Sequence, residues 1–309
     1  MRRRRRKVFA SLGCRRAAPR RWLLHLSRPG PWERAFFDRV VMMGKFDQVT
    51  VVAVVGEADG RNAAYSVSRT VAELPGSRGL LIAAGRPAKL PDSIDYIHID
   101  GLDYFQYQMY VVQCLHYHVH TDYALLVRHD GWALNGANWN DKWFEYDYVG
   151  GPCHAAGVDG RLCLHYSWVG NPRAIPVLVG GFSLRSRELL EAPTKYGTCY
   201  KQLDAPILRF EDIQLCLVLR EGLERRGIKF APLKDALYFA IEYMHPLLHN
   251  DVDLSKVFGI HGQTRRLRSD FVVEGGMTQA EIDRTFGEAR IIALLEHYGY
   301  TVTRKQHPG

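Results

Sequence analysis

The 309-residue chain is 47% hydrophobic and 24% charged, the balance of a globular protein with one large domain or two modest ones. Its net charge of +8 is uneven: residues 1–35 hold eleven Arg and one Lys against Glu33 alone, which leaves the remainder at −3. A mildly acidic body argues against a nucleic-acid-binding fold with basic charge across a folded face, so no specific nucleic-acid partner is expected.

Residues 1–26 begin like a secretory signal, but the apolar runs Val8-Phe9-Ala10 and Trp22-Leu23-Leu24 are short. Arg15, Arg16, Arg20 and Arg21 interrupt them. No stretch reaches the roughly 18 apolar residues of a membrane span, so the sequence predicts a cytoplasmic protein. Residues 1–45 read as a disordered basic leader. The alternative is peripheral attachment to an anionic membrane face, where each basic residue contributes on the order of 1 kcal/mol. The six cysteines (Cys14, Cys114, Cys153, Cys163, Cys199, Cys216) form no CxxC pair and read as reduced, mostly buried thiols. A zinc set of Cys153, His154, Cys163 and His165 is an alternative whose spacing matches no usual zinc module.

The pattern changes at Asp47. Residues 49–55 are a continuous, mostly β-branched run, as in a parallel strand buried on both faces. A helix over 62–74, opened by Asn62, ends at Pro75-Gly76. Strands follow at 80–84 and 96–99, then a helix over 105–118 and a strand over 123–127. This alternation implies right-handed crossovers and a mostly parallel sheet. The absence of GxGxxG makes a dinucleotide cofactor unexpected.

The second half is rich in aromatics, turns at Gly180-Gly181, and predicts helices over 186–190 and 213–226. Thr278-Gln279-Ala280-Glu281 is a capping box opening a helix to about residue 297. The expected fold is a single α/β domain over 46–265. Its central sheet is mixed, mainly parallel and flanked by helices, and a helical extension follows over 266–309.

Three polar islands carry the chemistry. Arg128-His129-Asp130-Gly131 follows a strand, where an α/β sheet holds its ligands. Mg²⁺ or Mn²⁺ bridging a diphosphate needs one or two carboxylates plus phosphate oxygens, which suits Asp130. An ordinary Asp-Gly turn is the competing reading. Glu211-Asp212 opens a helix, where the dipole favours carboxylates. The pair is either a cap or the base that takes a proton from an attacking hydroxyl. His261, between Gly259 and Gly262, is a poor core residue and a reasonable late metal ligand. Glu242 reads as a weaker acidic candidate and an ion-pair partner. In Gly180-Gly181-Phe182-Ser183-Leu184-Arg185, the glycines allow close backbone approach, Ser183 can donate a hydrogen bond, and Arg185 or Arg187 suits a phosphate. Trp132, Trp139 and Trp143 are either a platform for sugar faces or core.

Together these segments resemble a sparsely characterised family of GT-A type glycosyltransferases. The likeness runs in order over about 47–265. It includes Leu125 to Asn135, Trp143 to Pro152, Val179 to Ser186, Glu211-Asp212-Ile213, Gly227 to Pro232 and Phe258 to Gly262. The resemblance implies transfer of a sugar from a nucleotide-sugar donor to a saccharide or other hydroxyl acceptor, with a divalent cation, Mn²⁺ or Mg²⁺, as in polysaccharide biosynthesis. It would make Asp130 and His261 metal ligands, with His129 and Gly131 in the donor region. Asp212, or Glu211, would be the base. Gly180, Gly181, Phe182 and Trp132 would lie on the acceptor side. Two departures stand out: Arg128 and His129 precede Asp130 where family members often have Gln or Thr, and residues 153–176 are long and rich in Cys and His. The rival functions are a metal-dependent hydrolase or phosphotransferase and a non-catalytic carbohydrate-binding protein.

Overall fold

The computed structural model describes residues 44–56 and 60–306. The expected leader falls on residues 1–45 and lies almost wholly outside the described residues, so its disorder and its membrane contact lie outside them too. The strands are β1 (Val49–Val55), β2 (Arg78–Ala83), β3 (Ile94–His98), β4 (Tyr123–Val127), β5 (Gly131–Ala133), β6 (Tyr148–Val158), β7 (Arg161–Cys163), β8 (Ile175–Ser186), β9 (Ala240–Ile241), β10 (Gly259–His261), β11 (Arg265–Ser269), β12 (Val272–Gly275) and β13 (Thr301–Thr303).

Seven strands form the central sheet in the order β3-β2-β1-β4-β8-β6-β7. The β3-β2-β1-β4 half is parallel, while β8, β6 and β7 join by antiparallel pairing. The sheet is therefore mixed, with an antiparallel half that the chain-order alternation did not indicate. β1 and β4 are buried nearly throughout, as continuous apolar runs covered on both faces must be. The 153–176 segment is partly sheet: it holds the end of β6, all of β7 and the start of β8, joined by a short helical turn at Tyr166–Trp168. β6 and β7 turn through Asp159 (φ 49°) and Gly160 (φ 75°), the two positive φ values of a tight hairpin.

Helix α1 (Arg61–Glu73) follows β1 and buries Ala63, Ala64, Val67 and Thr70. Helix α2 (Tyr104–Gln113) starts at a capping box of Asp103 and Gln106 and buries Tyr107, Gln108 and Val111. Among the described residues, no helix is long and apolar enough to cross a membrane.

A second sheet, β5-β10-β9, stands at the C-terminal end of β4. Its core joins Trp132, Ile241 and Ile260 to Leu267, Val273, Ile291, Leu295 and Tyr300 from the C-terminal part. That part holds the expected helical content as two helices, α3 (Gln279–Arg284) and α4 (Glu288–His297), separated at Gly287 with φ 78°. It also holds a small sheet, β11-β12-β13, so residues 266–306 are mixed rather than helical and share a core with the preceding region.

Candidate active site

The site forms where the buried run Tyr123–Val127 gives out. β4 ends at Val127 and β5 begins at Gly131, so Arg128, His129 and Asp130 make the turn at the mouth of the sheet. Residues after β10 clamp this turn: Gly262 N–H donates to Asp130 O (2.9 Å) and Leu267 N–H to His129 O (3.1 Å). The same clamp carries Gln263, Arg266 and Arg268 over a cavity of about 610 Å³. Its other walls are the end of β1 (Val54, Val55, Gly56), Asn62 of α1, Tyr104 and Tyr107 of α2, and Arg128, His129 and Asp130.

Pairing of Gly131 with His261 across β5 and β10 brings the first and third polar islands together. His261 Nε2 lies 3.5 Å from Asp130 Oδ1, and His261 Nδ1 lies 3.4 Å from Glu242 Oε1. Asp130 is 1% exposed and His261 5%. Burial pushes the Asp130 carboxyl up, but His261, Arg128 and His129 outweigh it and leave the group below its ordinary value. Burial alone would favour a neutral His261, yet Asp130 and Glu242 together raise its pKa. Arg128 Nε stands 3.8 Å from the same Asp130 oxygen, and its guanidinium lies over the Tyr107 ring.

The second island splits into two roles. Glu211 is buried and pairs with Arg185 Nη2 at 2.7 Å, while its backbone N–H donates to Gln108 Oε1 at 2.8 Å. Arg185 Nε donates in turn to Ser183 Oγ (3.0 Å), and Ser183 donates to Gly180 O (2.8 Å). Glu211 is thus held in place by Arg185. Asp212 is half-buried, and its Oδ1 accepts only the N–H of Ile213, at 2.8 Å. Burial and then the adjacent Glu211 charge raise its pKa to about 7, with Glu242 adding and His261 opposing. Asp212 is therefore near enough to Glu242 and His261 to respond to both.

Gly180 and Gly181 serve this packing. A Cβ on Gly180 would fall 1.6 Å from Glu211 Oε1, and one on Gly181 would fall 2.2 Å from His261 Nε2. The glycines admit these protein side chains. Trp132 and Phe182 are fully buried and Trp139 and Trp143 nearly so. They are core: Phe182, Trp139 and Trp143 pack with Phe239 and Phe258, while Trp132 packs on Tyr300 in the second core, which leaves no ring face open to a sugar. Arg185 and Arg187 pair within the protein, with Glu211 and Glu191, rather than awaiting a phosphate. The zinc alternative also fails. Cys153 turns into the core toward Val177 O, His165 Nδ1 accepts from Ser167 N–H, and no three metal-binding side chains gather among the described residues.

Were a cation to bind here, Asp130 and His261 would supply two of its ligands. Asp130 Oδ1 and His261 Nε2 are buried without a hydrogen-bond partner. Two donors each about 2.1 Å from one ion stand about 3 to 3.4 Å apart, close to the separation found here. The remaining positions would fall to ligand oxygens and water.

The family model described as "Protein of unknown function (DUF5672)" matches residues 106–261, just over half of the chain. No curated protein matches the sequence. Among solved structures, the galactosyltransferase LgtC in complex with donor and acceptor sugar analogs is 12% identical. That match covers 80% of this chain and 95% of LgtC, at a TM-score of 0.42. An active-site mutant of LgtC is 14% identical over the same shares, at a TM-score of 0.37. At these scores the likeness carries no inference about this chain.

Proposed function

The chain belongs to the family described as "Protein of unknown function (DUF5672)", and on that premise we propose that it is a glycosyltransferase. It moves a sugar from a nucleotide-sugar donor to the hydroxyl of a saccharide or similar acceptor. The observation that carries this reading is the division of labour in the second island. Glu211 is locked by Arg185, while Asp212 keeps a pKa of about 7 under the influence of Glu242 and His261. A carboxylate so placed is partly ionised at neutral pH and basic enough to accept a proton from an attacking hydroxyl.

In this reading Asp212 takes the acceptor proton, and the acceptor oxygen forms a bond to the anomeric carbon. The bond from that carbon to the donor's diphosphate oxygen breaks, and the diphosphate leaves with the electron pair. Direct displacement of this kind inverts the anomeric centre. Arg128, with Arg266 and Arg268 of the clamping segment also lining the cavity, meets the charge on the leaving group. Mn²⁺ or Mg²⁺, held by Asp130 and His261, would add Lewis-acid neutralisation of that charge. The base, sugar and diphosphate would lie along the cavity between β1, α2 and the Arg128–Asp130 turn. Its walls offer Asn62 and Tyr104 as polar contacts.

The test is calorimetric titration of UDP and GDP, with and without Mn²⁺, into the protein and Asp130→Ala. Cation-dependent binding that disappears in Asp130→Ala supports the reading and identifies the donor base. If neither nucleotide binds, the nucleotide-sugar reading is wrong. Consumption of a nucleotide sugar at the same rate with and without acceptor would indicate a hydrolase.

A further inference from the structure

His261 is the site's least ordinary residue: a buried ring with one carboxylate oxygen 3.4 Å from Nδ1 and another 3.5 Å from Nε2. Which nitrogen carries the lone pair is a matter of tautomer, and tautomer is set by what the other nitrogen meets. Glu242 is the group at Nδ1.

The backbone beneath this pair is fixed by an unusual arrangement. β9 and β10 pair over only two residues, Ala240 with Gly259 and Ile241 with Ile260, so the ladder stops just before Glu242 and His261. Arg265 takes over at that point. Its Nη2 donates to Glu242 O (2.5 Å) and to His261 O (3.3 Å). Its Nη1 donates to both oxygens of Glu288 at 2.6 Å. Arg265 is 1% exposed and Glu288, the first residue of α4, is 3% exposed. Gly262, at φ 150°, leaves room for this guanidinium, since a Cβ there would lie 2.7 Å from Nη2. Arg265 and Glu288 both lie past residue 261, where the family match ends.

We infer that Glu242 is a positioning residue. It accepts the Nδ1 proton of His261, which leaves Nε2 directed at Asp130, and the Arg265–Glu288 pair fixes Glu242 and His261 against each other. The C-terminal part thereby completes the site from outside the family-matched region. The inference rests on the cation seat proposed above for what Nε2 would bind, but not for the ring's orientation, and the two are tested separately.

The first readout is the His261 tautomer, from long-range ¹H–¹⁵N correlation of the imidazole rings at alkaline pH, with His261→Gln to assign the signal. The Nδ1–H form is expected in the protein and should be lost in Glu242→Ala. Glu242→Gln keeps an acceptor oxygen and should recover it in part. Glu288→Gln, measured where its circular dichroism is native, should weaken the same preference. The second readout is Mn²⁺ affinity by electron paramagnetic resonance without substrate. Loss of such a supporting carboxylate typically weakens binding by roughly 10- to 100-fold. If Glu242→Ala keeps both the tautomer and the Mn²⁺ affinity, the inference is overturned. If the parent shows the Nδ1–H form but binds no Mn²⁺, the cation seat falls and the positioning role stands.

Discussion

Gly180 and Glu211 occupy one space: the Glu211 carboxylate sits where a side chain on Gly180 would begin, and Arg185 Nη2 holds it there at 2.7 Å. Both charges are buried, so the pair's value lies in what happens when it is broken. Losing one partner leaves an uncompensated buried charge, at a cost of about 3–5 kcal/mol. Arg185→Met should lower unfolding free energy by that order in urea denaturation. Gly180→Ala should destabilise comparably, because its new methyl has no path except through the carboxylate. Stability unchanged in both variants would show that the pair is not formed.

The pH behaviour of Asp212 runs opposite to that of a salt-bridged carboxylate. Its folded pKa, about 7, lies above the unfolded value near 3.9, so the folded state holds the proton more tightly. Its contribution to stability is fully present below about pH 4 and is lost as pH rises through about 7. Activity should move the other way, rising with pH to a plateau above about 7 as the base ionises. Asp212→Asn should cost roughly 10²- to 10⁴-fold in kcat and flatten the stability slope between these limits. Glu211→Gln should lower stability first. A rise in activity toward pH 7 that survives in Asp212→Asn would assign the base elsewhere.

The sequence made some of this site legible and hid the rest, for identifiable reasons. β1 and β4 follow from apolar runs that end at polar residues, so Asp130 could be placed at the sheet mouth from sequence alone. The Thr278–Glu281 box likewise gave the start of α3, although the periodic Ile282, Ile291 and Leu295 concealed the break at Gly287. Glu242 reads from the sequence as only a weaker acidic candidate, because its meeting with His261 depends on a two-residue parallel pair with no repeating pattern. Arg185 read as a phosphate ligand because sequence does not reveal that Glu211 faces it. The tryptophans posed a symmetric problem, since a sugar platform and an aromatic core use the same residues and differ only in exposure.

Exposure makes the tryptophan assignment testable. Trp143 is 1% exposed, lies edge-on to Trp139 and Phe239 at centroid distances of 5.3 and 5.0 Å, and donates from Nε1 to Asp235 O. Trp143→Ala should cost about 3–5 kcal/mol of stability. At a temperature where the variant remains folded, its acceptor KM should match the parent. A raised KM without lost stability would restore the platform reading.

Arg128 holds its guanidinium Nε 3.8 Å from Asp130 Oδ1 and lines the cavity. Its side chain also passes Gly181, where an added Cβ would meet Arg128 Cδ at 2.8 Å. A charged hydrogen bond to phosphate is worth about 1.5–3 kcal/mol, so Arg128→Met should weaken nucleoside-diphosphate binding by roughly 10- to 100-fold. Because the lost term is electrostatic, the difference from the parent should shrink as salt rises. Arg128→Lys keeps the charge but not the planar fork and should recover only part of the affinity. Equal affinity for the diphosphate in Arg128→Met at low salt would move the leaving-group charge away from this residue and onto Arg266 and Arg268.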